Sequence, residues 1–161
     1  GEPYRTMLGH FRHEVGHYMQ WRLVEDTDRI GESRRLFGDE TADYQAEIDR
    51  HYSEGPPANW WERYISTYAT MHPYEDFAET WAHFLHMTDT VETAHIYGLA
   101  RTSGPEDSPT FRAFVTDTWM PLSTALNMVN RSMGKADLYP FVIPDPVLDK
   151  LDFIASLRPE R

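Results

Sequence analysis

The chain has 161 residues, 40% of them hydrophobic and 14% aromatic, which is material for one buried core, and a single domain over residues 1–161 is expected. Fifteen basic against 26 acidic residues give a formal charge of -11, which disfavours phosphate backbones and anionic membrane surfaces, so neither nucleic acid nor a membrane is expected as a partner. The absence of cysteine excludes disulfides and thiolate catalysis and is compatible with a reducing cytoplasm, the expected location; no apolar run approaches the ~20 residues that span a bilayer.

Residues 4–24 predict a helix, with no proline inside and with Leu8, Phe11, Val15, Tyr18 and Leu23 about a turn apart. Within it lies His13-Glu14-Val15-Gly16-His17, an HExxH pentapeptide. Two histidines four residues apart share a helix face and can hold one Zn2+ ion, while Glu14 beside the first reaches the attacking water as general base. Such chemistry points to hydrolysis of an amide bond. Gly16 costs about 1 kcal/mol of helix propensity relative to alanine, which is best explained by another segment packing close against the backbone there. His10, one turn before His13, reads as a helical neighbour rather than a ligand.

Residues 25–38 are charged and carry no clear period, so they read as a surface loop. Residues 39–53 resume a helix with Ala42, Tyr44, Ala46 and Ile48, stopped by Gly55-Pro56-Pro57. Asn59 is expected to cap a further helix through Trp60, Tyr64 and Ile65 to about Ala69, with Trp60 and Trp61 anchoring a loop to the core. From Pro73 a helix is expected to about Thr88, with Phe77, Trp81, Phe84 and Leu85 as its buried flank. This helix carries Glu75 and Glu79 one turn apart. A catalytic zinc needs a third protein ligand besides two histidines, and one of these carboxylates can supply it while the other orients a ligand histidine through its free ring N–H. His72 reads as a helix-start residue, and His83 and His86 as neighbours of the Glu pair. Another helix is expected over residues 89–99, a loop over 101–109, helical spacing over 110–133 with an interruption at Pro121, an extended connector over 135–144, and a short terminal helix over 145–157.

HEVGH followed by Tyr68 and by Glu75-Asp76-Phe77-Ala78-Glu79 resembles the gluzincin metallopeptidases, and the ExxAE variant is similar to the catalytic domain of anthrax lethal factor and its relatives. The strings GEPYRTMLGHFRHEVGHY and YATMHPYEDFAETWAHFLHMTDTVETA resemble more closely a bacterial family of zinc-binding metallopeptidases, whose members usually carry a cysteine-rich, zinc-ribbon-like segment ahead of this domain. The resemblance implies a mainly α, zincin-like catalytic domain acting on a peptide or protein substrate. It implies His13, His17 and Glu75 as zinc ligands, Glu14 as general base, Glu79 as the carboxylate that orients a ligand histidine, and Tyr68 as hydrogen-bond donor to the oxyanion. Zincin peptidases place a small sheet ahead of the HExxH helix, whereas only twelve residues precede His13 here. The expectation is therefore the C-terminal portion of a longer protein, with the upstream sheet and a zinc-ribbon-like segment elsewhere in that protein. The alternative is a zinc-binding but proteolytically silent module, and an intact Glu14 argues against it, since a domain freed from catalysis has no chemical need of that base.

Overall fold

Thr6 opens the first helix by accepting the Gly9 amide hydrogen on its hydroxyl at 3.0 Å, which satisfies one of the donors that a helix start leaves over. The structure, a computed structural model, describes residues 6–158. Helix α1 spans Met7–Leu23, and the expected beginning at Tyr4 lies outside the described residues. After it come α2 (Ile30–Phe37), α3 (Tyr44–Glu54), α4 (Pro73–Ile96), α5 (Phe111–Phe114), α6 (Met120–Ser132) and α7 (Asp145–Ser156). No strand occurs among the described residues, so the fold is mainly α, as expected. No helix among them is long and apolar enough to cross a membrane.

The inner face of α1 is not its apolar one. Gly9, His13, Gly16 and Gln20 are buried at helical spacing, whereas Phe11 is 66% exposed and Tyr18 54% exposed. Gly16 explains the inversion. A Cβ at that position would lie 2.9 Å from the Ala78 Cα and 3.0 Å from the Trp81 Cβ, so α1 and α4 approach more closely than any side chain larger than hydrogen allows. The close packing expected at Gly16 is present, and long apolar side chains on the same face would hold the helices apart.

Four elements differ from expectation. Residues 25–38 contain α2 rather than a continuous loop. Its inward residues are Ser33 and Phe37, and Phe37 meets Phe77 and Phe153 with ring centroids 5.3 and 6.0 Å apart, so tertiary packing supplies what the charged sequence hides. The helix expected from Asn59 is replaced by two 3-10 turns, Trp60–Glu62 and Tyr68–Thr70; Asn59 adopts a φ of 60° and caps nothing with its side chain. Ile65 and Ser66 are buried between the turns. Helix α4 does not break after Thr88. The hydroxyls of Thr88 and Thr93 donate to the carbonyls of Phe84 and Asp89, each at 2.9 Å, so they are satisfied inside the helix and do not compete with it. The interruption expected at Pro121 takes the form of a π turn, Val115–Trp119, that leads directly into α6.

The chain forms two compact units. Of the described residues the first comprises 6–83 and 142–158, with Val24, Phe37, Ile65, Phe77, Leu151 and Ile154 in its core. A buried ion pair ties α7 to α4 within it. Lys150 Nζ donates to Asp76 Oδ2 at 2.6 Å and to the Arg63 carbonyl at 2.8 Å, and it lies 4.4 Å from the centroid of the Tyr64 ring. Burial pushes the Asp76 carboxyl up to about 6, with Lys150 acting in the opposite sense. The second unit is Phe84–Phe141. Phe84, Phe111 and Phe114 pack in its core as tilted rings, with successive centroids 4.9 and 5.1 Å apart. Asn127 holds the extended connector by donating to the Tyr139 carbonyl at 2.7 Å and accepting the Tyr139 N–H at 2.9 Å.

The Gly16 contact predicts an inversion of ordinary helix propensity. Gly16→Ala gains up to ~1 kcal/mol of propensity but forces two backbones apart, so a net loss of roughly 1–2 kcal/mol is expected in urea denaturation. Gly31→Ala in α2, where a Cβ meets nothing within 4 Å, is the matched control and is expected to be neutral or stabilising. Equal responses at the two positions would contradict the packing argument.

Candidate metal centre

The approach of α1 to α4 brings the HExxH face against the ExxAE face inside the first unit. His13, 7% exposed, points between the two carboxylates of α4. Its Nδ1 lies 2.7 Å from Glu79 Oε1 and its Nε2 2.9 Å from Glu75 Oε2. His17, one turn on, places its Nε2 3.1 Å from His13 Nε2 and 3.6 Å from the same Glu75 oxygen. Three ligand atoms thus close a triangle of 2.9, 3.1 and 3.6 Å. A tetrahedral zinc site with bonds of about 2.0–2.1 Å has ligand-to-ligand edges of about 3.3–3.4 Å. The observed edges bracket that value, and the donor set of two imidazole nitrogens and one carboxylate oxygen suits Zn2+. The residues present fit the ion.

Around the triangle the carboxylates of Glu79 and Glu75 are held from their other oxygens. Glu79 receives the Ser66 hydroxyl on Oε2 at 2.7 Å, and Ser66 Oγ in turn accepts the Ala69 N–H at 3.1 Å. The turn that carries Tyr68 is therefore tied to the carboxylate that faces His13. The Tyr68 ring lies 5.7 Å from that of His13, centroid to centroid. Glu75 receives the Tyr44 hydroxyl on Oε1 at 2.7 Å, from the first residue of α3. Glu14 stands at the rim, 58% exposed in its side chain, 3.7 Å from His10 Nε2 and close enough to Tyr44 to help raise its pKa.

The charges at the site are set by competition between burial and pairing. Burial lowers the pKa of His13, but its hydrogen bonds to Glu75 and Glu79 outweigh that and push it up to about 9. For Glu75 burial acts upward, and the bonds from His13, His17 and Tyr44 prevail, holding the carboxyl well below the usual range. Glu79 is likewise lowered against the effect of burial, first by His13. His83, fully enclosed one turn beyond Glu79, is pushed down to about 4 by burial and stays neutral.

All six residues singled out by motif lie in this one region, five of them within the hydrogen-bonding cluster or in ring contact with it. Tyr44 and Ser66 carry no motif and sequence reasoning missed both. Tyr44 reads there as one apolar member of a helix, although no residue of α3 is buried, and nothing local in the sequence marks its hydroxyl. His10 is a solvent-facing neighbour of Glu14, and His72 is a helix-start residue with a further role, its Nε2 lying 3.1 Å from the Ala42 carbonyl oxygen.

Residues 1–157 match the profile of a family described as "putative zinc-binding metallo-peptidase". The chain is also similar to uncharacterized proteins of Mycobacterium bovis and of two strains of Mycobacterium tuberculosis, with 53% identity to each over 164 aligned positions. The match takes in 99% of this chain and 48% of each relative, so the chain spans about half the length of the curated relatives it matches. No solved structure matches it.

The His13 pKa makes metal loading a competition with a proton. Zn2+ requires the neutral imidazole, so at pH 7 binding is expected to release close to one proton per chain, visible as a buffer-dependent heat in calorimetry. Apparent affinity should climb by about tenfold per pH unit from pH 7 and level off as the pH passes about 9, where His13 gives up its proton unaided. A flat profile between those limits would show that His13 is not displaced from its proton by the metal.

Proposed function

The chain belongs to the family described as putative zinc-binding metallo-peptidase, and on that premise we propose that it hydrolyses peptide bonds at a single Zn2+ held by His13, His17 and Glu75. The observation that carries the reading is the closed triangle of their ligand atoms. Bound there, zinc supplies Lewis acidity toward a water and toward the scissile carbonyl.

The chain's own residues divide the remaining work. Glu14 is free of any buried partner and sits next in sequence to a ligand, so its carboxylate takes the proton of the attacking water and delivers it to the departing amine. One C–O bond forms, the C–N bond breaks, and the proton ends on nitrogen. Tyr68 donates its phenolic hydrogen to the oxygen that becomes negative in the tetrahedral intermediate. Glu79 accepts the Nδ1 hydrogen of His13, which fixes the tautomer and turns the Nε2 lone pair toward the site. Ser66 holds Glu79 in that orientation from its other oxygen.

The substrate is a peptide or protein. The acidic balance of the chain leaves nucleic acid and anionic membranes out of this reading. Glu14→Gln preserves size and hydrogen bonding but removes basicity, so zinc content is expected to stay near one per chain while cleavage of a peptide library falls by ~10³-fold or more. Tyr68→Phe is expected to lower turnover by about ten- to a thousandfold with zinc content unchanged. Cleavage that survives Glu14→Gln would defeat the assignment of the base. Zinc retention with no cleavage by the unsubstituted chain under any condition would favour the alternative, a zinc-binding module without proteolysis.

A further inference from the structure

We propose that Tyr44 is a positioning residue: its hydroxyl holds one oxygen of Glu75 so that only the other faces the two histidines, and the fourth position of the metal site stays open to substrate. The inference rests on the functional reading above and adds a residue to it. A carboxylate can bind a metal through one oxygen or through both, and in a three-ligand catalytic site the second oxygen is the nearest competitor for the open position. In this structure the two oxygens of Glu75 are already separated by role. Oε2 faces His13 Nε2 and His17 Nε2 at 2.9 and 3.6 Å, while Oε1 accepts the Tyr44 hydroxyl at 2.7 Å, a short bond of the charge-assisted kind.

The placement of Tyr44 is itself built rather than incidental. No residue of helix α3 is fully buried, and polar contacts help to seat it, with Arg50 and His51 reaching Thr70 further along. At its N-terminal end the contact is with His72, 2% exposed, immediately before α4. The Tyr74 N–H points at His72 Nδ1 at 3.1 Å, so Nδ1 is the acceptor and the proton is on Nε2, which donates to the Ala42 carbonyl at 3.1 Å. The Tyr44 ring stands edge-on to the His72 ring at 5.0 Å. Asp43 then caps α3 by accepting the Ala46 N–H at 3.1 Å, which fixes the direction in which the helix leaves. From its place immediately before the helix carrying Glu75, His72 therefore sets the register of the tyrosine that controls Glu75. This also separates the two phenols near the site: Tyr44 is committed to the ligand, and Tyr68 is the one assigned to the substrate.

Tyr44→Phe removes only the hydroxyl and leaves the ring against His72; at 41% exposure the side chain is not part of the core, and an unchanged circular dichroism spectrum checks the fold. Two readouts are compared between the unsubstituted chain and the variant: Zn2+ affinity by competition with a chromophoric chelator, and the visible spectrum after loading with Co2+. With the second oxygen released, Glu75 closes on the metal from both oxygens, so the d–d bands of the Co2+ form should weaken as coordination number rises. Zn2+ affinity should fall by about tenfold or more, the usual scale for losing a hydrogen bond to a ligand. An unchanged Co2+ spectrum overturns the one-oxygen role, whether or not affinity falls. Failure of the unsubstituted chain to bind either ion overturns the functional reading together with this inference, whereas normal binding with no response to Tyr44→Phe overturns this inference alone.

Discussion

A helix carrying any side chain at position 16 could not lie where α1 lies. The Cα of Ala78 stands 2.9 Å from where a Cβ would be, and this contact sets how far His13 and His17 reach into α4. With α1 one or two ångströms further out, His13 could not place one ring nitrogen within 2.7 Å of Glu79 and the other within 2.9 Å of Glu75. The glycine therefore trades about 1 kcal/mol of helix propensity for the approach on which the whole cluster depends. The same contact turns α1 inside out, with small and polar residues inward and Phe11 and Tyr18 toward solvent.

The partner helix is held with equal firmness. Asp76, next to Glu75, is anchored by Lys150 from α7 at 2.6 Å, and the ammonium group is shared with the Arg63 carbonyl. Removing one member of such a buried pair usually costs about 3–5 kcal/mol because the other is left charged without a partner. The last helix of the chain thereby fixes the first turn of α4, where the Glu75 carboxylate begins. On the opposite side, Ser66 ties the Tyr68 turn to Glu79. A ligand triangle with edges near those of a zinc tetrahedron is the product of these constraints acting together.

His13, Glu14 and His17 were legible because their chemistry dictates their spacing on one helix, and Glu75 and Glu79 because the same one-turn rule applies to a second. The cost of Gly16 was legible too, since a glycine inside a strong helix asks for a neighbouring backbone. The rest depends on contacts between segments distant in sequence. Helix α2 escaped notice because only Ser33 and Phe37 face inward among charges, and the aromatic neighbours of Phe37 come from α4 and α7. The 59–69 segment looked helical by composition but folds as two turns around buried Ile65 and Ser66. Tyr44 had no local signature at all: its value lies in a hydroxyl that meets Glu75 across 31 residues of chain.

The central claim is that His13, His17 and Glu75 together hold one zinc. Zinc K-edge X-ray absorption on the loaded protein tests it most directly, because the fine structure reports imidazole scattering and coordination number independently of any substrate. The account predicts about one zinc per chain, two imidazoles, and a first shell of about four nitrogen and oxygen atoms at roughly 2.0–2.1 Å. A shell of about six oxygens without imidazole, or an imidazole count unchanged in a His13→Ala, His17→Ala double variant, would contradict it.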